Sequence, residues 1–532
     1  MSKGAGTEEV PVSVETRPPE PALAGSGVTG GRIDGRCVFA LLALYFATRL
    51  PFLTRLPIFL DETTHIRWAM FISEGEKLGR PWNYGKGLSV FLNALLFPWA
   101  FGHYLWASRA LAVAFGAATL LASVAIGRRL FGARVGLVAG LFYVACPFAV
   151  SHDRLALTDP PMATFAAFAL LAAVGLVESP RPPRALLLAL CLVLAVLTKA
   201  TAMLLLAVPV LVMGCLAPRS LRAWGAATLA LAAAGAALFL PLWHFFHTTS
   251  TVRLAMGHRE ADLLDRLRVN LPMAGEWLWT YLTAPLAVLV LAGFLVALRD
   301  RSRAGLLMAG LVALPVLAFA AVSTLWFPRY LVPVIVPCVL LAAWGFARAT
   351  ARLSAGVTAA LLVVVLLPAS WLDFVWLTDP PRAAIPTMDR VQFVFGWPSG
   401  YGTQGTIAAV HEELERHPEG IQVVVHSESW RTTWRALGLE FAREPRVDLR
   451  DLNVGTPGGV DLLVAWAQTK PTLLVVSPVG PARSAPDPRT WQFLGALVLR
   501  SCKPDGGLCD EVYRLWPRIV TARRPTPTPQ LP

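Results

Sequence analysis

Three short clusters of ionisable side chains interrupt an otherwise apolar chain, each at the end of an apolar run. The first, Asp61-Glu62, opens Asp61-Glu-Thr-Thr-His-Ile-Arg-Trp-Ala-Met70, an amphipathic helical pattern, and is followed by Trp82-Asn-Tyr-Gly-Lys-Gly-Leu-Ser-Val90. Adjacent carboxylates can accept a proton or orient hydroxyls, or they can simply end a helix. Glycines on both sides of Lys86 let the backbone approach a ligand, and the ammonium can meet a phosphate as a point charge. The second cluster, Ser151-His-Asp-Arg-Leu-Ala-Leu-Thr-Asp-Pro160, holds Asp153, Arg154 and Asp159. Ionisable groups this close to a membrane are functional candidates. The plainer readings are an Asp153–Arg154 ion pair and a helix start, with Asp159 as N-cap and Pro160 in the first turn. The third cluster, Trp326-Phe-Pro-Arg-Tyr-Leu-Val-Pro-Val-Ile-Val-Pro337, sets Arg329 at the mouth of a run kept irregular by prolines. An arginine there is costly unless it meets an anion or snorkels to lipid headgroups. His65 and His152 could ligate a divalent metal beside the carboxylates; no other cofactor is indicated. Together these groups suit a substrate with a phosphate at headgroup level, an oily tail in the bilayer and a reacting group in water.

The elements that must position these residues are membrane helices. Of 532 residues, 55% are hydrophobic and only 15% charged, which excludes a water-soluble enzyme and a disordered chain. Apolar runs at 37–53, 104–127, 131–151, 160–177, 185–198, 200–217, 223–243, 277–298, 304–326, 330–347 and 354–377 are each close to the roughly 20 residues that cross a bilayer. The expected fold is therefore all-α and polytopic, with about 11 transmembrane helices. The net charge of +13 does not point to nucleic acid, because the arginines sit in short connections: Arg128, Arg129 and Arg134; Arg181 and Arg184; Arg219 and Arg222; Arg299, Arg301 and Arg303; Arg348 and Arg352. Placing these inside puts the N-terminus in the cytoplasm and the three ionic clusters outside.

Residues 1–31 are expected to form a disordered cytoplasmic tail with no signal peptide, and 32–377 the membrane domain including the outer loop 54–103. Residues 378–532 are expected to form a small extracytoplasmic α/β domain, with strand-like runs at 421–426 and 473–477, and with 491–499 and 511–516 following. Any disulfide belongs to Cys502 and Cys509, since the other five cysteines lie singly in apolar runs. The loop 244–276, with Arg253, His258, Arg259, Glu260, Asp262 and Asp265, is a lid candidate or a solvated helix.

In order and sidedness these motifs resemble the GT-C glycosyltransferases, in the branch of the protein O-mannosyltransferases and lipid A aminoarabinose transferases. The likeness rests on Asp61-Glu62 after the first span, Lys86-Gly-Leu where the branch has Lys-Pro-Pro-Leu, Arg154-x-x-x-x-Asp159, Leu197-Thr-Lys-Ala200 and Arg329-Tyr-Leu-Val-Pro333. The tail Lys503-Pro-Asp-Gly-Gly…Val512-Tyr-Arg-Leu also resembles that of many prokaryotic members. The resemblance implies an inverting transferase that takes a sugar from a polyprenyl-phosphate donor to a protein, lipid or glycan hydroxyl outside the cytoplasmic membrane. It implies Asp61 as general base, and Glu62 and Asp159 orienting acceptor or sugar hydroxyls. Lys86 and Arg329 would neutralise the leaving phosphate, Arg154 would help there or pair with Asp153, and Tyr330 would join the substrate-binding set. The competing reading is a transporter or flippase of a lipid-linked or anionic solute, which calls for inverted repeats that the sequence does not display.

Overall fold

The computed structural model describes residues 33–248, 262–426, 432–454, 456–477 and 494–516; the expected tail 1–31 lies outside them, as do Arg253, His258, Arg259 and Glu260 of the loop. The membrane bundle begins with α1 (Gly35–Arg49), α2 (Leu60–Ser73) and α3 (Gly87–Leu96). It continues with α4 (Tyr104–Phe131), α5 (Ala133–Val144), α6 (Pro147–His152), α7 (Asp159–Glu178), α8 (Pro182–Thr198) and α9 (Val208–Leu216). The last bundle helices are α10 (Leu221–Thr248), α11 (Leu263–Arg299), α12 (Arg303–Val322), α13 (Ile335–Ala349) and α14 (Ala355–Thr378). Seven described helical segments are long and apolar enough to span a membrane; shorter apolar helices lie at the expected 131–151, 185–198 and 200–217, and the 15-residue α1 lies at 37–53. Large side chains point outward along α14, with Leu367 66% and Trp371 65% exposed, the inverted surface of a lipid-facing helix.

Prolines account for most departures from the expected spans. The run 131–151 breaks at Cys146, where Pro147 cannot donate a backbone bond and starts α6 instead. Pro328 and Pro333 hold Pro328–Val334 as a 3₁₀ turn before α13. Helix α11 starts at Leu263, so residues 263–276 are helical rather than loop, and it kinks at Thr283 (φ 60°), two residues before Pro285. Glycines permit a close helix crossing: a Cβ on Gly293 of α11 would lie 2.2 Å from the carbonyl oxygen of Leu341 on α13.

The arginine-bearing connections meet at one end of the bundle. Arg134 donates to Thr350 Oγ1 at 2.9 Å, Arg348 pairs with Asp300, and Arg129 lies 4.0 Å from Glu178. At the opposite end sits the C-terminal α/β unit: α15 (Thr403–Arg416), β1 (Ile421–His426), α16 (Thr432–Glu440), β2 (Val447–Asp451), α17 (Gly459–Ala467), β3 (Thr472–Val476), β4 (Gly495–Cys502) and β5 (Cys509–Leu515). Its sheet order is β2-β1-β3-β5-β4. The central strands β1 and β3 pair in parallel and are buried on both faces along nearly their whole length, with valines and leucines predominating. β4 and β5 form an antiparallel hairpin closed by a Cys502–Cys509 disulfide.

Candidate active site

Helix α2 carries Asp61 and Glu62 in its first turn, where carboxylates complement the exposed N–H groups. Glu62 reaches back to the Phe59 amide at 3.3 Å, one half of a capping box. Consecutive residues on a helix point about 100° apart, so the two acids part company. Glu62 turns inward, where Arg109 of α4 grips both oxygens at 2.8 and 2.6 Å and the Ala156 amide donates at 2.8 Å. Both side chains are fully buried and face the protein interior. Asp61 points the other way and keeps 28% of its side chain open, with Arg329 Nη2 at 2.9 Å. Burial pushes the Asp61 carboxyl up, but Lys86 and Arg329, with His65 and Lys199, hold it well below the usual carboxylate range.

Asp159 opens α7 at the same end of the bundle. Its carboxylate binds Lys199 Nζ at 2.5 Å, so it serves as an ion-pair partner where a helix cap was expected; the N-cap position is Thr158. Lys199 sits where α8 ends, with its ammonium 4.2 Å from the centre of the Tyr330 ring. Burial draws it down to about 8 although Asp159 holds it up. Arg329 lies on the 3₁₀ turn, stacks 4.6 Å from the Phe327 ring and donates to Gln392 as well as to Asp61. Lys86 precedes α3; its amide donates to the Pro81 carbonyl at 3.0 Å, while its ammonium makes no hydrogen bond or ion pair among the described residues. Gly85 beside it approaches Ala200 and Phe245 closely, and its carbonyl accepts the Ala200 amide at 2.9 Å, which ties the Lys86 turn to the Lys199 turn.

The structure thus brings together Asp61, Lys86, Asp159, Arg329 and Tyr330. Asp153 and Arg154 lie elsewhere and do not pair with each other. Asp153 accepts from Tyr45 at 3.0 Å and Tyr143 at 3.2 Å, while Arg154 donates to the carbonyls of Thr48 and Phe52. His65, one turn after Asp61, is buried with Nδ1 3.3 Å from the Ala156 carbonyl, and burial with Lys86 pulls it down to about 3, so it is neutral. His152 lies 3.5 Å from Asp389, and no three His, Cys, Asp or Glu side chains among the described residues converge as a metal-binding set.

Four residues outside the expected site set join the site. Lys199 lies in the Leu197-Thr-Lys-Ala200 motif between two apolar runs, where the motif and a lone charge at an expected outer turn were the available signals; the other three carry no local signature. Gln392 and Asp389 come from the segment after α14, with Asp389 accepting from Tyr281 at 2.5 Å; burial pushes its carboxyl up to about 7. Arg435 of α16 reaches Thr64, one turn beyond Asp61. Beneath the cluster runs a narrow apolar cleft of about 50 Å³, lined by Ala166, Leu170, Leu204, Leu205, Val208, Leu311, Pro333 and Pro337. Its walls continue the chain from Asp159, Lys199 and Arg329 down into the bundle.

Residues 87–245 match a family model described as dolichyl-phosphate-mannose-protein mannosyltransferase. Two crystal structures of ArnT from Cupriavidus metallidurans are similar in fold. The apo form superposes with a TM-score of 0.54 at 18% identity, covering 90% of this chain and 97% of that one. The form bound to undecaprenyl phosphate gives 0.53 at 17% identity, with the same coverage of 90% and 97%. No curated protein matches the chain by sequence. This chain is a polytopic membrane protein whose fold is that of ArnT.

Proposed function

We propose that the protein transfers a sugar from a polyprenyl-phosphate donor to an acceptor hydroxyl, on a protein, lipid or glycan, at the extracytoplasmic face of the cell membrane. One observation carries the reading: an accessible carboxylate, Asp61, touches a cation, Arg329, at the bundle end opposite the arginine-bearing connections, directly above an apolar cleft. A phosphate-headed lipid fits that arrangement. The tail lies in the cleft, which excludes water, and the phosphate meets Arg329, Lys86 and Lys199. The similar fold of ArnT bound to undecaprenyl phosphate supports this choice of donor, and the sidedness of the arginines supports the outer face.

In the reaction the acceptor oxygen bonds to the anomeric carbon as the bond from that carbon to the phosphate oxygen breaks. The hydroxyl proton passes to the Asp61 carboxylate, and the electron pair leaves with the lipid phosphate, whose charge the three cations stabilise. Attack opposite the leaving group inverts the anomeric carbon. At rest Asp61 is a weak base, because the same cations hold its carboxyl low. Donor phosphate engages those cations and adds negative charge, which strengthens Asp61 as a base when the sugar is in place. Asp159, held by Lys199, and neutral His65 are placed to orient sugar or acceptor hydroxyls. Glu62 and Arg109 fix the direction of α2.

The test incubates purified protein with a panel of polyprenyl-phosphate sugars and follows released polyprenyl phosphate. Asp61→Asn is expected to abolish release while folded protein stays in the membrane, and Lys86→Ala and Arg329→Ala to weaken donor binding. Undiminished release by Asp61→Asn refutes the base, and normal donor affinity in both cation variants refutes the phosphate clamp.

A further inference from the structure

The tail motif Lys503-Pro-Asp-Gly-Gly lies far along the chain from every residue above, yet it touches the segment that holds them. Lys503 is only 8% exposed. Its ammonium donates to the carbonyls of Ser399, at 2.5 Å, and Tyr401. Three donors on one nitrogen satisfy two carbonyls that otherwise have no reason to face the same point.

That turn in turn grips the active-site helix. The Pro398 carbonyl accepts the Leu60 amide at 2.9 Å, the first N–H of α2, and also the Thr432 hydroxyl of α16 at 2.8 Å. A Cβ on Gly400 would lie 2.0 Å from the Ile58 carbonyl oxygen, so the turn sits hard against the chain entering α2. Phe59 offers no capping oxygen at the N-cap position, which leaves Pro398 as the partner of the Leu60 amide. The same turn reaches the other half of the ion pair. Ser399 Oγ donates towards the carbonyls of Phe393 and Val394 at 3.0 and 2.9 Å, in the segment whose Gln392 holds Arg329. Lys503 itself sits in the loop closed by the Cys502–Cys509 disulfide, its amide bonded to the Leu508 carbonyl at 2.8 Å; the Cys502 end of the bridge is exposed.

We propose that Lys503 is a positioning residue for the Asp61–Arg329 pair and that the Cys502–Cys509 bridge holds it in place, so that reducing the bridge slows turnover. The hairpin loop is a clip that closes the C-terminal domain onto the first turn of α2 and onto the Gln392 segment at once. The inference rests on the transferase reading for its kinetic consequence, while its structural consequence does not depend on that reading.

Wild type with and without a phosphine reductant, Lys503→Met and the double variant Cys502→Ser/Cys509→Ser are compared in two measurements. Hydrogen–deuterium exchange over 57–64 and 391–401 is expected to quicken about tenfold or more in all three perturbed forms, while α7 is unchanged, and the reductant adds nothing to Lys503→Met. Turnover is expected to fall about tenfold or more, as a sub-ångström to ångström misplacement of reacting groups does, while affinity for undecaprenyl phosphate, still held by Lys86 and Lys199, falls by less than turnover does. Unchanged exchange over 57–64 overturns the clip, as does unchanged turnover in Lys503→Met. If wild type releases no polyprenyl phosphate from any donor, the transferase reading fails and exchange alone decides the clip.

Discussion

Donor binding should move the acid limb of the pH–rate profile upwards. In the free protein Asp61 is held low chiefly by Lys86 and Arg329, against the opposing effect of burial. A cation about 4 Å away at an effective dielectric of about 20 is worth about 4 kcal/mol, or roughly 3 pK units. Since 28% of the Asp61 side chain is open to solvent, screening reduces the transmitted effect to roughly 1–2 units. A phosphate that engages these cations removes part of their pull and adds a negative charge, and both changes raise the Asp61 pKa. The profile of kcat/KM for donor reports the free enzyme, and that of kcat reports the donor-bound form. The acid limb of kcat is therefore expected to lie roughly 1–2 units above that of kcat/KM. In Arg329→Gln the kcat/KM limb should rise towards the kcat limb, because one cation is gone before the donor arrives. Coincident limbs in wild type, or a gap unaffected by Arg329→Gln, would refute the reasoning.

Two further outcomes follow from the geometry. Because burial draws Lys199 down to about 8, its ammonium predominates at pH 7 and is lost above pH 8; affinity for undecaprenyl phosphate by calorimetry should weaken about tenfold between pH 7 and 9, whereas Lys199→Arg should show a flat profile. Equal slopes in both proteins would place Lys199 outside the phosphate site. Glu62→Gln leaves Arg109 buried without its charge partner, a loss of about 3–5 kcal/mol, visible as a lowered thermal midpoint in detergent; an unchanged midpoint with lost turnover would move Glu62 from scaffold to chemistry.

Much of the architecture was legible because solvation acts locally. Each apolar run declares its medium, and the arginines at 128–134, 181–184, 299–303 and 348–352 mark the connections at one end of the bundle. The strand-like run at 421–426, with three consecutive valines, likewise became β1 within the sheet. Where prolines act, the boundaries moved: Pro147 split one expected span, and Pro328 with Pro333 turned the approach to α13 into a 3₁₀ segment.

The sequence by itself determined that acids and cations stand at the ends of membrane segments, and that Asp61, Lys86, Asp159 and Arg329 lie on one side. Which of them touch was decided only by the tertiary structure. Asp61 meets Arg329 across 268 positions, and Asp159 meets Lys199 across 40. Asp61 and Glu62 look equivalent in sequence, yet the turn of the helix sends one to the open site and the other to Arg109. Pairing of charges depends on distance through space, while hydropathy and helical period report only on neighbours along the chain.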